Sequence, residues 1–329
     1  MARAWHLTSR PMGMPTHDNF ALREIESPAL GEGQIRVRNL WLSVDPYMRG
    51  RMNDAKSYAD PFALDAPMGG GAVGEVIESK ADGIAAGDKV QHMAGWRDEA
   101  VLDGKAAQKL PALGVPDQAF LGMLGMPGMT AYFGLLSIGA AKPGETVFVS
   151  AAAGAVGSTV VQIAKAKGMT VIGSAGGAEK CAWVKSLGAD QVIDYKAEGS
   201  LVKALAAAAP NGIDVYFDNV GSDHLDAALA VANLHARFAV CGMIDIYNSA
   251  DPTSLRYLAR VIGARLRIEG FLVTDFMPRA AEFYRDMGEM MASGKLQRQE
   301  TVHEGLESAP DAFLGLFSGG NTGKMLVKV

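Results

Sequence analysis

The stretch SAAAGAVGSTVVQIAKAKG, residues 150–168, has the small-residue punctuation of a turn that could hold a nucleotide. In the Gly-x-Gly-x-x-Gly fingerprint, the second glycine lets the backbone approach a pyrophosphate and the third lets the helix pack on its sheet. Gly154 and Gly157 fill those two places, with Ala155 and Val156 between them. Ala152 stands where the glycine of the tight turn is usual. A helix beginning here would offer phosphates its free N–H groups and the positive end of its dipole. By itself the motif also fits a strand-to-helix turn with no ligand. Its setting favours the dinucleotide: an apolar strand precedes it, a helical segment follows, and the strand-helix-strand unit spans about 30 residues.

The kind of dinucleotide depends on what stands about 20 residues further on, where an NAD site places an Asp or Glu against the adenosine ribose. Ser174 occupies that place, no carboxylate ends the strand, and Lys180 lies one turn into the next helix. A missing acid and a nearby cation together suit the 2′-phosphate of NADP(H). The alternative for Lys180 is an ordinary solvated helix lysine. Cys181 and Cys241 can build neither a disulfide framework nor a four-cysteine zinc site. The six histidines show no His-x-x-x-His spacing, so a metal-free protein is expected.

The elements that must position these groups follow from the rest of the chain. At 329 residues it is long for one hydrophobic core, so two domains are expected. A hydrophobic share of 49% and a charged share of 20% fit a soluble globular enzyme. The net charge of -5 gives no electrostatic reason to expect nucleic acid. No run approaches the ~18 apolar residues of a membrane span. The opening MARAWHLTSR does not read as a secretion signal, and a cytoplasmic protein is expected.

Residues 1 to 125 read as strand-rich: QIRVRNLWLSV sets Ile35 and Val37 against Gln34, Arg36 and Arg38. GGGAVGEVIE and GDKVQHM suggest short strands of a compact barrel, and AFLGMLGMPGMTAYFGLLSIG turns helical. From Glu145, short apolar strands TVFVS (146–150), TVIGS (170–174), QVIDY (191–195), DVYFDNV (214–220) and RFAVCG (237–242) alternate with helical segments 157–167, 179–187, 198–209 and 222–233. That alternation predicts a parallel, doubly wound α/β sheet. RIEGFLV (267–273) supplies a sixth strand, and GKMLVKV a last one returning to the first domain.

LSVDPYMRGRM (42–52), LGMPGMTAYFGLLSIG (124–139), AAAGAVGS (151–158), YFDNVG (216–221), CGMIDIYN (241–248) and GFLV (270–273) together carry a resemblance. The chain resembles the zinc-independent medium-chain dehydrogenases/reductases, in their leukotriene dehydrogenase/prostaglandin reductase branch, with bacterial curcumin reductases and alkenal double-bond reductases. The resemblance implies a GroES-like β-barrel domain over 1–128 and 300–329 and an NADP-binding Rossmann domain over 129–299, with the active site in the cleft. It implies NADPH-dependent reduction of the carbon–carbon double bond of α,β-unsaturated ketones or aldehydes. Zinc-dependent relatives carry a ligand cysteine where this chain has Ser43.

The resemblance further implies roles. Gly154 to Gly157 form the phosphate turn, Ser174 ends the second strand, Lys180 grips the 2′-phosphate, and Tyr195 sits beside it. Asn219 lies at the nucleotide crevice. Cys241, Gly242, Met243 and Tyr247 run under the nicotinamide, with Pro127, Thr130, Phe271, Leu272, Val273 and Asn321 as further cofactor contacts. Tyr47 and Met48 belong to the substrate wall, although their residue types also suit a core. Pocket shape rests on loops 48–66 and 244–258, and Ser150 and MIDIY depart from frequent family residues. Tyr247 is the expected donor to the carbonyl oxygen of the enone. A quinone reductase and a non-catalytic NADPH-binding protein are the rival readings. RIEGFLV at a sheet edge implies a homodimer.

Overall fold

The computed structural model describes residues 2–249, 251 and 253–329; Met1, and Ala250 and Pro252 of the 244–258 loop, lie outside the described residues. The chain forms two compact units, Met1–Leu121 with Glu300–Val329, and Gly122–Gln299. The first seam thus falls at 121/122 and not at 128/129. The Gly122 carbonyl accepts from Gly125 N at 3.0 Å and Gly128 N at 3.1 Å, so the segment before the first helix of the second unit folds onto that helix.

The first unit begins with β1 (Ala2–Leu7), β2 (Phe20–Ile25), β3 (Gln34–Ser43), α1 (Tyr47–Arg51), β4 (Ala72–Ser79), β5 (Lys89–His92), β6 (Glu99–Asp103) and β7 (Gln108–Lys109). In β3 the alternation buries Ile35, Val37 and Asn39, then breaks, and Leu42 and Ser43 are buried in succession. The cause is a register shift against β4 between Asn39 and Trp41. Such a bulge moves later side chains to the opposite face.

The second unit holds α2 (Met126–Phe133), β8 (Thr146–Val149), α3 (Ala155–Ala166), β9 (Thr170–Ala175), α4 (Ala178–Ser186), β10 (Gln191–Asp194), α5 (Leu201–Ala208), β11 (Ile213–Asp218), α6 (Ser222–Val231), β12 (Ala232–Val240), α7 (Arg260–Gly263), β13 (Arg267–Gly270) and α8 (Ala280–Ala292). All six strands run parallel in the order β10-β9-β8-β11-β12-β13. Helices on both faces demand apolar strands throughout, and Val147, Phe148 and Val149 are all fully buried. Phe148, Ile172, Tyr216 and Phe238 meet Leu205 of α5 and Leu225 and Leu229 of α6 in one core. β12 begins at Ala232, earlier than expected. β13 stops at Gly270, where Phe271 N still reaches Val240 O at 3.4 Å before a 3-10 turn takes over.

The chain then returns to the first unit through β14 (Glu300–Glu304), α9 (Ala309–Ser318) and β15 (Lys324–Lys328). β15 pairs with β14 in parallel and with β3 antiparallel, completing a mixed seven-stranded sheet in which β6 pairs with β3. No helix among the described residues is long and apolar enough to cross a membrane.

A buried ion pair fixes this returning strand. Lys324 is 4% exposed, and its Nζ donates to Val44 O at 2.8 Å, Met325 O at 2.8 Å and Asp45 Oδ1 at 3.1 Å. Ser43 Oγ donates to the other carboxylate oxygen of Asp45. The three ammonium protons are thereby all used. Lys324→Ala strands the buried Asp45 charge and should cost about 3–5 kcal/mol of stability. An unchanged denaturant midpoint in that variant would show that the pair does not hold β15.

Candidate active site

The sheet order reverses between β8 and β11, and the carboxyl ends of these two strands flank the crevice where open α/β sheets bind their ligands. Asp218, fully buried at the end of β11, accepts through Oδ1 from Tyr216 Oη at 2.7 Å, Gly221 N at 2.8 Å and Val220 N at 2.9 Å. Burial nonetheless raises its pKa above the usual carboxylate value. Ser150, buried at the end of β8, accepts from Asn219 N at 2.9 Å. The Asn219 side chain donates to Ser150 O at 2.7 Å and accepts from Cys241 Sγ at 3.0 Å. Its amide therefore stitches three strand ends together.

The missing glycine has a conformational answer. The residue of the turn held in the left-handed region is Ala151, with φ 46°, so no glycine is required at 152. Ala152 is fully buried and its N–H donates to Ser174 O at 2.8 Å. Its methyl leaves no space opposite: a Cβ on Gly173 of β9 would lie 2.9 Å from Ala152 Cβ. A Cβ on Gly157 would come within 2.3 Å of Ala151 O, so this position needs glycine for packing. Gly154 caps α3 with extended backbone, and Gly154, Ala155 and Val156 are half-exposed at the helix start. A helix N-terminus that no side chain caps by a hydrogen bond fits a pyrophosphate.

At the next strand ends the structure brings Lys180 and Tyr195 to one region. The Tyr195 ring meets His224 edge-on, 5.1 Å between centroids. Lys180 has its pKa lowered by burial first and then by the charge of Lys196. Lys196 was not singled out from the sequence, although its place directly after Tyr195 was readable. Ser174 is fully buried, its hydroxyl without a partner, and it lies under the turn and not in the open crevice.

The CGMIDIY loop is zipped onto the end of β11. Cys241 N and Gly242 N donate to Asp218 O at 3.0 and 3.2 Å, Ile244 N to Asn219 O at 3.3 Å, and Asp245 N to Val220 O at 3.2 Å. A 3-10 turn over Ile244–Ile246 then folds Tyr247 back, and its Oη accepts from Met243 N at 3.3 Å. Phe271 packs edge-on to Phe217, 6.4 Å between centroids, while Leu272 and Val273 are partly exposed. Pro127 is buried in the first turn of α2, and Thr130 Oγ1 donates to Met126 O within the same helix.

Three expected residues belong to the first unit. Asn321 Nδ2 donates to Gly323 O at 2.8 Å, which shapes the turn before β15. Tyr47 keeps a buried hydroxyl without a partner, and burial raises its pKa. Met48 is corrected: it is fully buried in the apolar core with Leu42, Phe62 and Trp96, which removes it from any exposed substrate wall. Ser43 is engaged with Asp45, whose other oxygen holds the Lys324 ammonium, and no group of three or more His, Cys, Asp or Glu suited to a metal exists among the described residues. That donor set does not suit zinc. A separate cavity of about 510 Å³ in the second unit, lined by Tyr132, Ser137, Lys167, Arg279 and Glu282, contains none of the expected site residues.

The profile described as the N-terminal domain of oxidoreductase matches residues 3–110, and that described as zinc-binding dehydrogenase matches residues 155–293. The chain is 44% identical to the NADPH-dependent curcumin reductase of Escherichia coli (strain K12), over 99% of this chain and 96% of that one. It is 44% identical to the 2-alkenal reductase (NADP(+)-dependent) of Nicotiana tabacum, over 91% and 88%. The crystal structure of CurA in complex with NADPH from Vibrio vulnificus, 44% identical, superposes over 99% of both chains with a TM-score of 0.94. The chain belongs to the medium-chain dehydrogenases/reductases, in their prostaglandin reductase and curcumin reductase branch.

Within this reductase the His224 ring is a titration probe of the crevice. It is buried beside Phe148 and Tyr195, and burial pulls its pKa down to about 4 against the weaker opposing pull of Asp245 and Asp223. The native ring is neutral while the unfolded chain takes up a proton near pH 6.5. Stability from this group is therefore full above 6.5 and is lost as pH falls toward about 4, by up to about 3 kcal/mol. His224→Gln should flatten the fall in melting temperature between pH 6.5 and 4. Parallel curves for variant and parent would mean that the ring is not buried in its neutral form.

Proposed function

We propose that this reductase uses NADPH to reduce the carbon–carbon double bond of α,β-unsaturated ketones and aldehydes, without a metal. One observation carries the reading: the phosphate turn and the Tyr247 loop leave the carboxyl ends of β8 and β12, the two strands that flank β11 in one sheet, in a chain of full-length likeness to curcumin and alkenal reductases. Gly154–Gly157 would hold the pyrophosphate, Lys180 and Tyr195 the adenosine 2′-phosphate, and the Cys241–Met243 backbone the nicotinamide side. Bound NADPH supplies the hydride that reduces the β-carbon.

The chain's own task is electrostatic. Reduction at the β-carbon leaves negative charge on the carbonyl oxygen, and a donor aimed there in a dry site stabilises it. Tyr247 is the candidate donor, because its loop is fixed by four backbone hydrogen bonds from residues 241, 242, 244 and 245 and so holds the phenol in place. No histidine or carboxylate is assigned to the α-carbon proton, for which solvent suffices.

The test is NADPH oxidation, with chelator present, against a panel of enals, enones, curcuminoids and quinones. Turnover of enones and enals is expected; oxidation with quinones alone would replace the reading with a quinone reductase, and binding without turnover with a non-catalytic protein. Tyr247→Phe keeps the ring and removes the donor, and should lower turnover by about a hundredfold while leaving NADPH affinity little changed. An intact single-turnover rate, with only the apparent substrate constant raised, would make Tyr247 a pocket wall.

β13, at the open edge of the sheet with its own Ile268 exposed, supports a homodimer. Light scattering should give twice the chain mass of 34.6 kDa, and a concentration-independent single-chain mass would rule the dimer out.

A further inference from the structure

The adenosine end of the crevice carries two lysines, and the sequence fingerprint accounts for one of them. Lys196 follows Tyr195 just beyond the end of β10 and is exposed. A Cβ on Gly176 would stand 2.8 Å from Tyr195 Oη and 2.9 Å from Lys196 Cε. Phenol and lysine stem thus both rest on the bare backbone of that glycine, between β9 and α4. Lys180 rises from the first turn of α4, a few residues on.

Asp194 fixes the two loops to each other. Its Oδ1 accepts from Gly177 N, in the Lys180 loop, at 2.9 Å and from Lys196 N at 3.1 Å. The two ammonium groups are near enough for Lys196 to depress the pKa of Lys180 beyond the effect of burial. Like charges held this close favour an anion between them. Of the acids in the neighbourhood, Asp194 is engaged by backbone N–H groups, Asp245 acts on Tyr195 from the loop after β12, and Glu179 beside Lys180 pulls its pKa up, against the larger effects of burial and Lys196.

We propose that Lys196 is a second cation for the 2′-phosphate, gripping it with Lys180 and the Tyr195 hydroxyl and raising the preference for NADPH over NADH. The proposal rests on the reading of this crevice as an NADPH site. A phosphate monoester near neutrality carries close to two negative charges and three strong acceptor oxygens, enough to satisfy all three donors at once.

The test is isothermal titration calorimetry of 2′,5′-ADP and of 5′-AMP into the full chain, with Lys196→Ala, Lys196→Arg and Lys180→Ala. Lys196→Ala should weaken 2′,5′-ADP by about fivefold and leave 5′-AMP alone, with Lys196→Arg restoring most of the loss. Equal effects of Lys196→Ala on the two nucleotides, or none on either, would overturn the proposal. Lys180→Ala separates this outcome from a failure of the underlying reading. If it discriminates between the nucleotides and Lys196→Ala does not, only the role of Lys196 falls. If neither variant discriminates, the 2′-phosphate does not bind at this end of the crevice.

Discussion

The second unit depends on the join between β8 and β11. A carboxylate taken out of water is costly unless donors replace its hydration. Asp218 is placed in that position, and Tyr216 Oη, Val220 N and Gly221 N converge on a single oxygen. Those bonds bend the chain out of the sheet and into α6, where Gly221 takes φ 79°. The same bend aims Asn219 sideways across the sheet, toward Ser150 and Cys241. Ser150 is no incidental departure from a family pattern: its hydroxyl accepts from Asn219 N and lies 3.1 Å from Tyr216 Oη, so the join is closed from both strands. The open crevice above is a consequence of this closed knot below.

The first unit is held by a related device with the opposite sign. Its last strand arrives after 178 residues of the other unit have intervened, from Gly122 to Gln299, and nothing local fixes where it should lie. A buried ammonium that must find three acceptors does so. Val44 O and Asp45 belong to the segment after β3, so Lys324 can be satisfied only with β15 in its register beside β3. Such a pair adds little to stability over an apolar substitute, but a mispaired strand would leave the charge stranded.

The six parallel strands were legible because burial on both faces removes polar residues from them, as Val147, Phe148 and Val149 illustrate. Gly157 was legible for the same kind of reason, since its packing leaves no room for a side chain. The tolerance of Ala152 was not, because the strained residue is its neighbour Ala151 and dihedral angles leave no trace in composition. Nor was the break in β3, which a bulge against β4 decides. Met48 misleads because a family segment places it near substrate while its own side chain points into a core. Lys196 was visible as a letter, and its meaning waited on Gly176 bringing two loops together.

On the proposed placing of the adenosine end, cofactor choice turns on where the nearest acid goes. A carboxylate at the end of the second strand accepts the ribose hydroxyls of NAD and repels a 2′-phosphate. Here that strand ends in Ser174 and Ala175, and the acid appears one strand further out, as Asp194 at the end of β10. Its pKa is held low chiefly by the hydrogen bond from Gly177 N, with burial opposing. An acceptor committed to Gly177 N and Lys196 N has less capacity left for a ribose hydroxyl. The same carboxylate that would select NAD one strand inward instead pins the loops that carry Lys180 and Lys196. Moving one acid across one strand converts a cofactor ligand into the scaffold for two cations, and the electrostatic preference of the crevice reverses with it.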